Sequence, residues 1–182
     1  NTQAEVLAAP LQAALTGTGR KARLAPGLPE TFIAPAADHI VWLFAPVAAD
    51  DTLPTLAVFD CVRQLAALPQ SPQLHLLLAG GAPVDGLPGS LPVEPAHAAV
   101  WGLSRVIMNE MPGLSLQLID CPMTDDVGLV ARLCTELTQS DGESEIVLRA
   151  EGRHVLRMRE TRLAFPGADS AENARYRLDF RV

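Results

Sequence analysis

The sequence predicts an α/β fold: a largely parallel sheet with helices on both faces. Apolar runs recur at His39–Phe44 (HIVWLF), Gln73–Leu78 (QLHLLL) and Leu114–Ile119 (LSLQLI). The first is apolar without alternation, as expected of a strand buried on both faces, and the other two read as further strands. The stretches between them carry apolar residues at helical spacing. Strand and helix therefore alternate from His39 to Leu137, the pattern of parallel βαβ units.

In chain order, residues 3–15 read as a helix, with Ala4, Leu7, Ala8, Leu11 and Leu15 at helical spacing and Gly17 and Gly19 as its stop. A short strand is expected at Lys21–Leu24, then a proline-rich loop over Ala25–Ala37. After the first apolar run, Asp50, Asp51 and Thr52 are candidate caps for a helix reaching Leu68, with Pro54 in its first turn. Gln73–Leu78 ends in Ala79-Gly80-Gly81-Ala82-Pro83, a sharp change of direction. Thr124 or Asp125 is expected to cap a helix through Leu137. Glu145–Arg149 and His154–Arg159 are expected to pair around a Glu151-Gly152 turn. Arg162–Ala174 reads as a linker, and the final RYRLDFRV alternates as a half-buried strand.

The organising stretch is Pro95–Pro112, PAHAAVWGLSRVIMNEMP, read as one helix between its two prolines. At about 100° per residue, Ala99, Val100, Leu103, Val106, Ile107 and Met111 share an apolar face. His97, Ser104, Arg105 and Asn109 lie opposite. Trp101 and Met108 fall inside that polar stripe, and Gly102 sits mid-helix at a cost of roughly 1 kcal/mol relative to alanine. One reading makes Trp101, Ser104, Arg105 and Met108 a candidate interface, with Gly102 admitting a close backbone. Trp101 would then face a second domain or be covered by the chain's own terminal strands. The plainer reading lays Trp101 flat on the surface.

Composition narrows the function. Hydrophobic content of 48% against 19% charged residues indicates a globular chain, and 182 residues suffice for a sizeable core. Residues 1–140 hold 6 basic and 13 acidic side chains, and residues 141–182 hold 8 of each. No segment is basic enough for nucleic acid, and no apolar run is long enough to cross a membrane. Cys61, Cys121 and Cys134 show no paired spacing, which suggests reduced thiols and a cytoplasmic protein. The first residue is not methionine, and the chain opens directly into a helical pattern. An excised piece of a longer polypeptide is therefore expected.

Motifs for reactive chemistry are sparse. Gly17-Thr18-Gly19 follows a helix, and Gly80-Gly81 lacks the full spacing of a dinucleotide turn. The architecture is nonetheless Rossmann-like, without the usual first strand ahead of its first helix, and so without the turn that holds pyrophosphate. A short-chain reductase needs a tyrosine acid with a lysine four positions later. The one tyrosine, Tyr176, and the one lysine, Lys21, do not fit. His39, His75, His97 and His154 show no metal-ligand spacing, and His75 reads as a satisfied structural histidine. Ser104 is not in a nucleophile elbow. Asp125 and Asp126 suit a helix N-terminus. No catalytic, cofactor-binding or metal residue is assigned.

PAHAAVWGLSRVIMNEMPGLSLQLID, followed by an amphipathic helix and EIVLRAEGRHVLRM, resembles the structural subdomain of ketoreductases in modular polyketide synthases. Animal fatty acid synthase is more distantly similar. The specific pieces are Trp101-Gly102-Leu103-Ser104-Arg105, Glu110-Met111-Pro112, Leu118-Ile119-Asp120 and the hairpin Arg149–Arg157, together spanning Pro95–Met158. The resemblance implies a truncated short-chain-reductase fold over residues 1–160 that lacks cofactor and active site. Such a subdomain braces a catalytic ketoreductase subdomain, which holds NADPH. Residues 161–182 would then be a linker and terminal strand leading toward a following domain, and RYRLDFRV looks like the opening strand of an enoylreductase. The ending Asn109-Glu110-Met111-Pro112 departs from the commoner acidic-histidine-proline pattern and leaves the type of synthase open. Two other readings stand beside this one: a free-standing nucleotide-binding reductase, and a free-standing interaction module.

Overall fold

The computed structural model describes residues 3–25, 37–44, 53–84, 86–139 and 141–157. The body of the proline-rich loop lies outside them. So do the candidate caps Asp50, Asp51 and Thr52, the linker Arg162–Ala174 and the terminal RYRLDFRV with Tyr176.

Four helices and five strands alternate among the described residues: α1 (Gln3–Gly17), β1 (His39–Leu43), α2 (Leu53–Ala66), β2 (Gln73–Leu78), α3 (Pro95–Glu110), β3 (Leu116–Asp120), α4 (Val127–Thr138), β4 (Glu145–Arg149) and β5 (Gly152–Val155). The sheet order is β1-β2-β3-β4-β5. The first four strands are parallel, and β5 returns antiparallel to β4. The three apolar runs thus lie side by side in one parallel sheet, as their patterning predicts.

Alternation along the strands sorts the core into two layers. Leu74, Leu76, Leu78, Leu116, Leu118 and Val147 pack under α2 and α3. Leu77, Ile119, Ile146 and Leu148 pack under α1 and α4. Successive parallel strands always step the same way across the sheet, yet α3 and α4 lie on opposite faces. The β3–α4–β4 crossover is therefore opposite in hand to β2–α3–β3, a departure from the near-uniform handedness of such units.

Several local expectations change. No strand forms at Lys21–Leu24; instead Gln12 Nε2 donates to the Ala22 carbonyl at 3.0 Å. α1 stops where its glycines predict, with Gly19 at φ +83°. Among the described residues β1 lies at the edge of the sheet: His39 is exposed and Ile40–Leu43 are only half-buried, against the expectation of burial on both faces. Asp126 caps α4, its Oδ1 accepting from Leu129 N at 2.8 Å, because it stands three residues ahead of that amide. Thr124 and Asp125 stand too early. The hairpin turns at Ala150-Glu151, since Arg149 pairs with Gly152. All three cysteines are buried and free; burial pushes Cys61 up to about 11 and Cys121 up to about 12.

α3 departs furthest from its expected orientation. Its buried side chains are Ala96, His97, Val100, Trp101, Ser104 and Ile107, whereas Ala99 and Val106 are not buried, Val106 being exposed. The inward face is rotated toward the stripe read as polar. The polar members can turn inward because each is satisfied there. Ser104 Oγ donates to the Val100 carbonyl at 2.8 Å, and His97 Nδ1 lies 2.9 Å from the Ala79 carbonyl. Ile107→Ala should therefore cost about 2–5 kcal/mol in chemical denaturation. The neighbouring Val106→Ala should stay within about 0.5 kcal/mol. Equal costs would contradict this orientation of α3.

Candidate functional site at the carboxyl edge of the sheet

Open parallel sheets bind ligands beyond the carboxyl ends of their strands. In this chain that edge is held by a buried ion pair. Asp120 ends β3, and Arg149 ends β4. Their side chains are 0% and 2% exposed, with Arg149 Nη2 2.5 Å from Asp120 Oδ1. Arg149 Nη1 also donates to the Asp120 and Leu148 carbonyls at 3.0 and 2.9 Å. The other carboxylate oxygen, Oδ2, accepts from the backbone amides of Gly81 and Ala82 at 2.6 and 2.9 Å.

Those amides belong to the glycine turn after β2. The turn is closed from outside as well. Gly80 has φ +74°, and a Cβ there would stand 2.1 Å from the Pro92 carbonyl oxygen. Glu94 N donates to the Gly80 carbonyl at 2.9 Å, so the loop returns onto the turn immediately before α3. The other glycine pair, Gly17 and Gly19, terminates α1, with Gly19 N donating to the Thr16 carbonyl at 2.9 Å.

The four residues of the candidate interface separate. Trp101 is 1% exposed and packs within the α2/α3 core layer. Its indole Nε1 donates to Glu145 Oε2 at 2.9 Å. Arg105 forks onto the same carboxylate, with Nη2 2.6 Å from Oε2 and Nε 3.0 Å from Oε1. Glu145 of β4 thus gathers Trp101 and Arg105, which stand one helical turn apart. Ser104 is buried and bonds within its own helix, and Met108 is half-buried against the same core. Only Arg105 stands at the rim, its side chain 41% exposed. Trp101 is therefore a core residue with a satisfied polar tip, contrary to its reading as an outward anchor. Gly102 is exposed, and nothing lies within 4 Å of where its Cβ would stand.

Two shallow hollows flank this part of α3. One, of about 370 Å³, lies between the Gly81–Val84 turn and Ala98, Trp101 and Gly102. The second, of about 390 Å³, adjoins it at Arg105, Glu145, Leu156 and Arg157. The arginines beside the hollows are already paired, Arg105 with Glu145 and Arg157 with Glu143. Among the described residues, neither hollow presents an unpaired acid–base couple or nucleophile.

Sequence reasoning passed over Asp120, Arg149 and Glu145 as strand residues. A signal was present: acids and a base inside or ending otherwise apolar strands, LSLQLID and EIVLR. Arg149→Met should destabilise the chain by about 3–5 kcal/mol, since it leaves Asp120 charged, buried and short of its partner. The double variant Asp120→Leu/Arg149→Met should recover part of that loss in urea denaturation. A single variant with unchanged stability would refute the role given to this pair.

Comparison with known proteins places these features in a family. Residues 2–158 match the family described as polyketide synthase extender module SpnB, Rossmann fold domain. The pikromycin polyketide synthase component PikAIII of Streptomyces venezuelae is 37% identical over 67 residues, which cover 37% of this chain and 4% of that protein. A phenolphthiocerol/phthiocerol polyketide synthase of Mycobacterium tuberculosis (strain CDC 1551 / Oshkosh) is 29% identical over 126 residues, covering 64% of this chain and 8% of the relative. Among solved structures, a C2-type ketoreductase from a modular polyketide synthase aligns with TM-score 0.65 and 26% identity, over 84% of this chain and 38% of that one. An A-type ketoreductase structure aligns with TM-score 0.50 and 32% identity, over 60% and 23%. The chain thus spans a small part of these synthases and well under half of the ketoreductases. It belongs to the family of SpnB-type Rossmann fold domains of polyketide synthase extender modules, a ketoreductase-like fold.

Proposed function

We propose that this domain is a non-catalytic scaffold that braces the catalytic ketoreductase subdomain of its parent polyketide synthase. One observation carries the reading. The backbone amides of Gly81 and Ala82 in the glycine turn, which could cradle an anionic ligand at the sheet edge, are held by the domain's own Asp120 carboxylate. A dinucleotide phosphate at that turn would have to displace a buried, arginine-paired carboxylate. In this reading NADPH is held by the catalytic subdomain, an enoylreductase of the same polypeptide is a further neighbour, and the protein works in the cytoplasm.

The bracing face follows from the corrected orientation of α3. α2 and α3 pack against each other on one side of the sheet. Their outer surfaces carry Leu56, Phe59 and Val106, exposed by 58%, 49% and 55%. Large apolar side chains on two neighbouring helices suit a helical partner surface. This face replaces the Trp101–Met108 stripe as the proposed contact with the catalytic subdomain.

Titration of the isolated chain with NADPH should show no saturable binding. Leu56→Asp/Val106→Asp in the parent synthase should lower ketoreduction at least tenfold while the domain keeps its circular dichroism spectrum. Stoichiometric NADPH binding, or full reduction by the folded double variant, would overturn the proposal.

A further inference from the structure

The sheet face under α1 and α4 carries a row of polar side chains that the scaffold reading does not use. His39 of β1, His75 of β2, Gln117 of β3, Glu136 of α4 and Arg153 of β5 run across it in hydrogen-bond contact. Arg153 donates from Nε to Glu136 Oε2 at 2.6 Å and from Nη2 to Oε1 at 3.0 Å. Gln117 Nε2 donates to Glu136 Oε1 at 3.3 Å and to the Glu143 carbonyl at 3.2 Å. The amide nitrogen of Gln117 is thereby committed, and its Oε1 faces His75 Nδ1 at 2.7 Å.

This chain of partners fixes the imidazole tautomers. A carbonyl oxygen only accepts, so His75 Nδ1 carries the hydrogen. In the neutral ring Nε2 is then a bare acceptor. It lies 3.1 Å from His39 Nδ1, which must donate. The two rings also stack, with centroids 5.3 Å apart.

We propose that the His39–His75 bond is a pH-operated latch on strand β1, closed while the pair carries at most one extra proton and opened when both rings are protonated. A proton on the exposed ring of His39 leaves its Nδ1–H in place, and the latch stays closed. A proton on His75 alone can be met by His39 moving its hydrogen to Nε2 and accepting at Nδ1, but with both rings protonated two N–H groups oppose each other, and no rotation of the His75 ring repairs this because Gln117 holds its other nitrogen. Among the described residues β1 pairs only with β2, and its side chains are half-buried, so it belongs to the part of the fold that opens first.

The charged and titratable groups around His75 are His39 from β1, Glu136 from α4 acting through Gln117, and Arg153 from β5 behind Glu136. Glu5, the acid of α1, is exposed. Burial, helped by His39 and opposed by the Gln117 bond, lowers His75 from 6.5 to about 4. The unfolded chain therefore takes this proton first. The stability given by the neutral latch is complete above about pH 6.5 and is lost as pH falls toward 4.

Amide hydrogen exchange on the full chain tests the latch. The reporters are the Gln73 amide, bonded to the Asp38 carbonyl, and the Phe44 amide, bonded to the Leu77 carbonyl. Between pH 7 and 4.5, corrected for intrinsic rates, their protection should fall at least tenfold further than that of β3 amides. His75→Gln keeps a donor for Gln117 and an acceptor for His39 but cannot be protonated, so it should abolish that difference. Uniform loss across the sheet, or the same pH dependence in His75→Gln, would overturn the proposal. A measurement on the unaltered chain guards against a variant that fails to fold: imidazole 15N shifts at pH 7 should show His75 protonated at Nδ1 and bare at Nε2. The opposite tautomer would equally overturn it.

Discussion

Asp120 touches more of the fold than any other polar side chain described at the carboxyl edge. One carboxylate oxygen meets Arg149 at the end of β4, and the other holds two amides of the turn leaving β2. Three neighbouring strands are thus registered at one end by a single group with no exposed surface. A buried ion pair is weak evidence for stability, because removing two charges from water offsets most of their attraction. Its effect here is geometric. The turn has to bring Gly81 and Ala82 within reach of the carboxylate, Gly80 must adopt a positive φ, and the following loop closes over it before α3 begins. The starting point of α3 is therefore set from β3, across the sheet.

A second carboxylate works at mid-helix. Glu145 takes the indole of Trp101 and the guanidinium of Arg105, fixing how far α3 is rolled over β4. With the start and the roll both set, α3 packs beside α2 on one side of the sheet. A few buried polar groups, Asp120, Arg149 and Ser104 among them, lie within an otherwise apolar interior, while Leu56, Phe59 and Val106 remain exposed.

Much of the layered architecture was legible in the sequence because buried parallel strands are mainly apolar, as QLHLLL and LSLQLI are, and helically spaced stretches separate them, while EIVLR was legible as one strand of a hairpin. β2 and β4 fall where the pattern puts them. The rotation of α3 was not legible. Helical spacing distinguishes two faces only if polarity tracks exposure, and here His97 and Ser104 are buried with internal partners while Val106 faces water. Trp101 looked misplaced because Glu145, which satisfies its nitrogen, lies 44 residues away in the chain. For the same reason the polar row through Gln117 was invisible: its members come from five elements, and each alone reads as an ordinary strand or helix residue. The edge position of β1 also eluded the pattern, since HIVWLF has the composition of a central strand.

All three cysteines are buried. Cys61 sits in α2, Cys121 follows β3, and Cys134 is in α4, so they sample both layers of the molecule. With Cys61 and Cys121 held far from ionisation, those two thiols offer almost no nucleophile to an oxidant or an alkylating reagent while the core is closed. They would stay reduced for reasons of access, whatever the redox poise around them. Their reaction with a thiol reagent would instead clock the moments when each layer breathes.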